Sequence, residues 1–293
     1  MPGAGIRKDF GLRGLRIAVR AELNISRKGS SASGQGVKDG MRRTQLAIEE
    51  SRRKLLGEIS GAPDVTFIRS PGNIGDHLIH AGIRQLLSDI QYREIPFKRR
   101  RLLKRSRGHT ALISGSGGWC GPYHKVMPRL LEIVEERYER VIVLPSSVDT
   151  SLPVVREALG RTKALFFARE MESYRQAREL CRADIAHDCA FFFDFTPYRR
   201  PGSGRLLAYR TDAESVSREV PPKNRDISRW LDSLDEWLWT IARHGEIETD
   251  RAHVMIAGAM LGKRVMYRAS SYHKVPEIAR YSLRHLPVEP LEG

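Results

Sequence analysis

The sequence predicts an α/β fold of two lobes built on parallel sheets, and three observations carry that expectation. From Val65 onward, short apolar runs alternate with longer amphipathic stretches, the βαβ signature of a parallel sheet. The first four of those runs lead into loops on one edge, where open α/β sheets place their ligands. At 293 residues the chain is long enough for two compact units, and a Pro/Gly/Arg stretch over 197–204 reads as the linker between them. The expected organisation is a basic N-terminal extension with a peripheral helix over 1–60, a first lobe over 61–197 and a smaller second lobe over 198–293.

The elements follow in order. Residues 1–40 lack periodic apolar patterning, and the Ser/Gly-rich stretch 30–36 reads as a disordered linker. Met41 opens a helical segment to about Ile59, with Leu46, Leu55, Leu56 and Ile59 as its apolar residues, and is the expected natural start of the chain. Val65-Thr66-Phe67-Ile68 predicts a strand, followed by a loop at 72–76 and a helix over 77–88. Ala111-Leu112-Ile113 leads through Ser114-Gly115-Ser116-Gly117-Gly118 to a helix near 126–137. Val141-Ile142-Val143-Leu144 leads through Pro145-Ser146-Ser147 to a helix near 153–159, and the run 164–168 leads through Arg169-Glu170 to a helix ending near 180. In the second lobe 206–209, 246–249 and 264–267 predict strands. There, 227–243 predicts one amphipathic helix with Trp230 and Trp237 as core residues, and 274–283 a terminal helix.

Composition narrows the function. A net charge of +15 points to nucleic acid, an anionic membrane surface or anionic small substrates. The excess is concentrated: residues 1–60 hold thirteen Lys/Arg against six Asp/Glu, and Lys98, Arg99, Arg100, Arg101, Lys104, Arg105 and Arg107 form a second, exposed run. Such clustering argues against a dedicated nucleic-acid binder, whose charge spreads along one face of the fold. No stretch approaches the ~18 uninterrupted apolar residues of a spanning helix. Cys120, Cys181 and Cys189 are too few and scattered for a disulfide framework or zinc site, so a reducing cytoplasm is the expected home. His77 and His80 stand at helical i,i+3 spacing, but a single such pair does not make a metal centre, and no metal is expected.

The residues able to carry chemistry stand where strands end. Pro71-Gly72-Asn73-Ile74-Gly75-Asp76 is neither a Walker A loop nor a GxGxxG fingerprint; it reads either as a close backbone approach to a ligand or as a turn with Asp76 as helix cap. The loop at 114–118 has the same two readings. Arg169, directly after an apolar strand, is expected at a cleft rim, where a guanidinium grips carboxylate or phosphate, or else pairs with Glu170. In Thr249-Asp250-Arg251-Ala252-His253 a guanidinium, an imidazole and free helix amides can converge on one phosphate; the alternative is a capped helix with His253 packed inside.

Taken together and in order, Gly72-Asn73-Ile74-Gly75-Asp76, the 114–118 loop, Leu144-Pro145-Ser146-Ser147, Ala168-Arg169-Glu170 with Ser173, His187-Asp188, and Thr249-Asp250-Arg251-Ala252-His253 resemble the polysaccharide pyruvyl transferase family. The resemblance covers about 65–283 and implies two Rossmann-like lobes arranged as in GT-B-like glycosyltransferases. It further implies transfer of pyruvate from phosphoenolpyruvate, a co-substrate and not a cofactor, onto two sugar hydroxyls as a ketal. Carried over to this chain, Arg169 and Arg251 are the expected donor-binding pair, and His253 the catalytic acid or base. Asn73, Asp76, Ser116 and Gly117 are expected in the cleft or at the acceptor. Ala252 stands where the family often has a bulky apolar residue, and the second lobe is short. The expected partners are phosphoenolpyruvate, a glycan acceptor of a polysaccharide or its lipid-linked precursor, and the anionic inner face of a membrane; the sequence assigns no oligomeric state. The competing readings are a GT-B-like glycosyltransferase using a nucleotide sugar and a catalytically silent nucleic-acid-binding module.

Overall fold

The computed structural model describes residues 31–215 and 220–291. Its first sheet is all parallel and six-stranded, in the order β2-β1-β3-β4-β5-β6. The strands are β1 (Val65–Arg69), β2 (Tyr92–Pro96), β3 (Gly108–Ile113), β4 (Tyr138–Ser146), β5 (Leu165–Ala168) and β6 (Ala183–Ile185). The interior strands are apolar on both faces because helices cover both. Phe67, Leu112, Ile142 and Phe167 face one layer, while their neighbours Ile68, Ile113, Val143 and Phe166 face the other. Helices α2 (Ile74–Leu86), α3 (Arg100–Arg105), α4 (Val126–Glu135), α5 (Pro153–Arg161) and α6 (Met171–Arg178) connect the strands. Strand order reverses between β1 and β3, so the loops after these two strands flank the switch point where such sheets bind ligands.

The second sheet is also parallel and has four strands in the order β10-β9-β8-β7. They are β7 (Arg205–Ala208), β8 (Glu246–Thr249), β9 (Arg264–Tyr267) and β10 (Val288–Pro290), with α7 (Ile227–Trp230), α8 (Leu234–Ala242), α9 (Ala252–Met260) and α10 (Lys274–Ser282). Helix α2 lies between the two sheets. It buries Leu78 and Ile79 and contacts α8 and α9, so one continuous apolar cluster runs from Phe67 to Trp237 and Ile247. No helix among the described residues is long and apolar enough to cross a membrane.

Four expectations are corrected. Residues 31–40 belong to α1 (Ser31–Ile59) and are not a linker; residues 1–30 lie outside the described residues. Within α1 the buried stripe is Gly40, Thr44, Ile48, Ser51, Leu55 and Ile59, whereas Leu46 is 63% exposed. Its small and hydroxyl residues had concealed that helical stripe. The single helix expected over 227–243 is two: α7 ends at Trp230, and Ser233 begins α8 by accepting from the Glu236 amide. Trp237 is consequently core, while Trp230 is 61% exposed. His80, paired with His77 in the sequence, is buried, with burial pushing its pKa down to about 2, so it is a neutral core residue.

Candidate functional site

A cleft of about 750 Å³ lies between the sheets, within the size range of small-molecule sites. It gathers every residue singled out from the sequence as a site candidate: Asn73, Asp76, Ser116, Gly117, Arg169, Arg251 and His253.

The loop after β1 builds one wall. Asn73 accepts from the Gly75 amide at 2.8 Å, and Asp76 accepts from the Asn73 amide at 2.8 Å, a reciprocal capping box at the start of α2. The helix cap is thus Asn73 and not Asp76, which closes the box from the third helical position; both side chains line the cleft while fixing the helix end. Helix α9 starts opposite, so close that a Cβ on Gly75 would lie 2.8 Å from His253 Nδ1. The loop after β3 is turned by Ser116, whose hydroxyl accepts from the Gly118 amide at 2.9 Å, and its own amide donates to Ser146 Oγ at 3.1 Å.

Arg169 is a correction to the rim placement, for it is the floor. It is 1% exposed, donates from Nε to Ser147 Oγ at 2.8 Å and from NH1 to Asp188 Oδ2 at 2.8 Å. Its remaining nitrogen, NH2, lies beside Gly117, 3.4 Å from where a Cβ would stand. Its alternative pairing with Glu170 does not form; Glu170 caps α6 through the Ser173 amide at 2.9 Å. Asp188 is fully buried and also approaches the imidazole Nε2 of His253, at 3.6 Å. Burial opposes its charge, but His253 and Arg169 outweigh it and hold the carboxyl well below the usual range. His253 Nε2 is buried without a hydrogen-bond partner, so Asp188 is the charge that orients it.

The opposite wall is a network. Arg251 is clamped by Asp226, Nε to Oδ1 and NH2 to Oδ2 both at 2.7 Å, and its NH2 also donates to Asp212 at 3.0 Å. Its backbone amide donates to Thr249 Oγ1 at 3.0 Å, but Arg251 itself stands at the N-cap of α9, which has no side-chain cap. Arg210 pairs with Asp212 at 2.7 Å and with Glu214, and Glu214 also accepts from Lys274 Nζ at 3.1 Å. Lys274 stacks 4.7 Å from the Tyr272 ring centroid, and burial lowers its pKa against the raising effect of Glu214. Sequence reasoning missed Arg210, Asp212, Glu214, Tyr272 and Lys274. Only the position of Arg210 and Asp212 just after β7 offered a signal. Tyr272 Oη is buried without a partner near Gly117, 3.3 Å from where a Cβ would stand. Among the described residues no group of three His, Cys, Asp or Glu is placed to hold a metal.

The sequence model of the polysaccharide pyruvyl transferase family matches residues 73–272, more than half of the chain and all of the cleft-lining set except Pro71, Gly72 and Lys274. The chain belongs to the polysaccharide pyruvyl transferase family. It is therefore a transferase, and membership ties the chain to polysaccharide biosynthesis. Among solved structures, a functionally uncharacterized protein from Klebsiella pneumoniae subsp. pneumoniae NTUH-K2044 is similar in fold, with a TM-score of 0.68 at 20% identity over 84% of this chain and 99% of that one. Among curated proteins, no sequence matches the chain.

Proposed function

We propose that the cleft moves pyruvate from phosphoenolpyruvate onto a sugar of a polysaccharide or its lipid-linked precursor, forming a ketal and releasing phosphate. The observation that carries this reading is the Arg169–Asp188–His253 chain at the cleft floor. Asp188 faces Nε2, which leaves Nδ1 of His253, beside Gly75, as the atom for proton exchange. In the proposed reaction His253 gives a proton to the donor's methylene carbon, and the adjacent carbon becomes oxocarbenium-like. One sugar hydroxyl adds to that carbon and loses its proton; the second then adds with cleavage of the carbon–oxygen bond to phosphate. No water is consumed, and the two hydroxyl protons balance the new methyl C–H and the departing phosphate.

The donor's carboxylate and phosphate suit Arg169 NH2, Arg251 and Lys274, which approach from both sheets. The proposal includes the GT-B-like arrangement, with lobes at 61–197 and 198–293 meeting around the donor. The irregular segment 199–204, between a short 3₁₀ turn at Thr196–Tyr198 and β7, supports that division. Asn73, Asp76 and Ser116 stand across the cleft from Arg251, on the acceptor's side in this reading. The exposed basic residues of α3 and its flanks, Lys98, Arg99, Arg101, Lys104, Arg105 and Arg107, are the proposed contact with an anionic membrane surface. The deciding experiment is phosphate release from phosphoenolpyruvate in the presence of pooled glycan acceptors, with mass spectrometry of the product. Acceptor-dependent release that His253→Gln abolishes is expected; release of sugar from a nucleotide sugar with phosphoenolpyruvate inert would instead favour the glycosyltransferase reading.

A further inference from the structure

Between α1 and the end of α10 lies another cavity, of about 240 Å³. Most of its wall lies outside residues 73–272, and it shares no residue with the cleft. Gly40 sets the approach of the two helices, since a Cβ there would overlap the His285 carbonyl oxygen.

The wall is polar and incompletely satisfied. Thr44 and Ser282 are 2% and 4% exposed, and their hydroxyl oxygens are buried with no hydrogen-bond partner. Buried hydroxyls are ordinarily paired, so two unpaired ones on residues lining the same cavity mark a place where a turn of each side chain about χ1 would meet a ligand's polar atoms. The neighbouring hydroxyl, Ser51, is already engaged by His187, at 3.1 Å from Nδ1 and 3.1 Å from the amide. Three cations line the same space, and two of them have no carboxylate partner among the described residues. Among the described residues neither Arg43 nor Arg284 has a carboxylate within ion-pair distance, and Arg284 uses only Nε, donating to His285 Nε2 at 3.1 Å. Lys54 differs, being held by Asp184 at 2.9 Å and the Ile185 carbonyl at 3.0 Å. Glu50 is the single acidic side chain in the wall.

We propose that this cavity binds the phosphoryl group of a small phosphorylated ligand, Arg43 and Arg284 clamping the oxyanion while the Thr44 and Ser282 hydroxyls donate to it. A phosphoryl group fits because guanidinium and hydroxyl donors match its several acceptor oxygens. Glu50 is then available to accept from a hydroxyl of the ligand's remainder, which favours a sugar phosphate over the free ion. The cavity adjoins the cleft through the chain itself, since His187 in its wall precedes Asp188.

The test is hydrogen–deuterium exchange of the full chain with inorganic phosphate and, separately, glucose 1-phosphate, against chloride at matched ionic strength. Slower exchange in peptides spanning 40–54 and 280–287 is expected. Its concentration dependence should weaken about tenfold or more in the Arg43→Ala/Arg284→Ala double variant, whose exposed side chains can be removed without opening the core. Protection by both probes identifies the phosphoryl group as sufficient; protection by the sugar phosphate alone adds the hydroxyl contacts. No protection there with either probe, protection equalled by chloride, or protection unchanged in the double variant overturns the proposal. Because these peptides lie away from the cleft, the result is independent of the reaction proposed for it.

Discussion

The two walls of the cleft solve the same problem differently. On the first-sheet side one arginine, Arg169, meets one carboxylate, Asp188, both essentially without solvent contact. On the second-sheet side Arg210, Arg251 and Lys274 share Asp212, Glu214 and Asp226. The isolated pair has no substitute partners, so it forms a fixed floor, and its carboxylate has a second task in facing His253. The network has alternatives: Glu214 serves both Arg210 and Lys274, and Asp212 serves both Arg210 and Arg251. An arriving anion can replace a shared carboxylate there without leaving a cation unpaired, whereas on the floor only the free NH2 of Arg169 is on offer. In the proposed reaction the network therefore adapts to the donor, while the floor offers it one guanidinium nitrogen and holds His253 in place.

Removing the floor's cation should have the largest effect. Arg169→Ala leaves Asp188 buried and charged, and is expected to cost about 3–5 kcal/mol in urea unfolding; a loss no larger than that of a surface arginine would show the pair is not isolated. Next, Asp188→Asn keeps the shape but removes the charge facing His253. Turnover should fall about 10²–10⁴-fold with the fold retained by circular dichroism. The same variant sharpens the acid limb of stability. A depressed carboxyl stabilises the fold above its unfolded pKa of about 4 and loses that contribution as pH falls toward its folded value. Wild type should thus lose stability below about pH 4 more steeply than Asp188→Asn. Gly75→Ala tests the approach of the loop to His253, whose Nδ1 would lie 2.8 Å from the new methyl carbon; kcat should drop about 10- to 100-fold with little change in melting temperature.

The smallest effect concerns the contact between the walls. Glu170, capping α6, meets His273 Nε2 at 3.4 Å at the start of α10. Burial disfavours the imidazolium, but the bond to Glu170 and its charge outweigh it, so the His273 pKa is raised. The contribution is present below the unfolded pKa of about 6.5 and is lost as pH rises through the higher folded value. His273→Gln should lower the melting temperature at pH 6 and leave it unchanged at pH 9; an equal drop at both would assign the residue a packing role alone.

Most of the architecture was legible because the interior strands are buried on both faces and read as plain apolar runs, as in Phe67-Ile68 and Ile142-Val143. Three of the four edge strands were not. β2 is Tyr92-Arg93-Glu94-Ile95-Pro96, pairing only with β1, and its charges and proline hide it; β6 and β10 are three residues each. The break between α7 and α8 had a signal, Ser233 followed by Glu236, that the tryptophan periodicity overrode. For the site, residues placed at strand ends were found because position in the fold and chemistry coincide there. Lys274, Tyr272 and Glu214 escaped because only the folded chain brings Glu214 to a lysine 60 residues away. The burial of Arg169 was unreadable for the same reason, its partner Asp188 being supplied from beyond β6.

The central claim is that one donor is held by both walls at once. Calorimetry of phosphoenolpyruvate with wild type, Arg169→Lys and Arg251→Lys tests it most directly, lysine keeping the charge but not the forked geometry. Saturable binding to wild type that weakens about tenfold or more in each variant is the expected result. Absence of binding to wild type with or without acceptor, or binding indifferent to both substitutions, would contradict it.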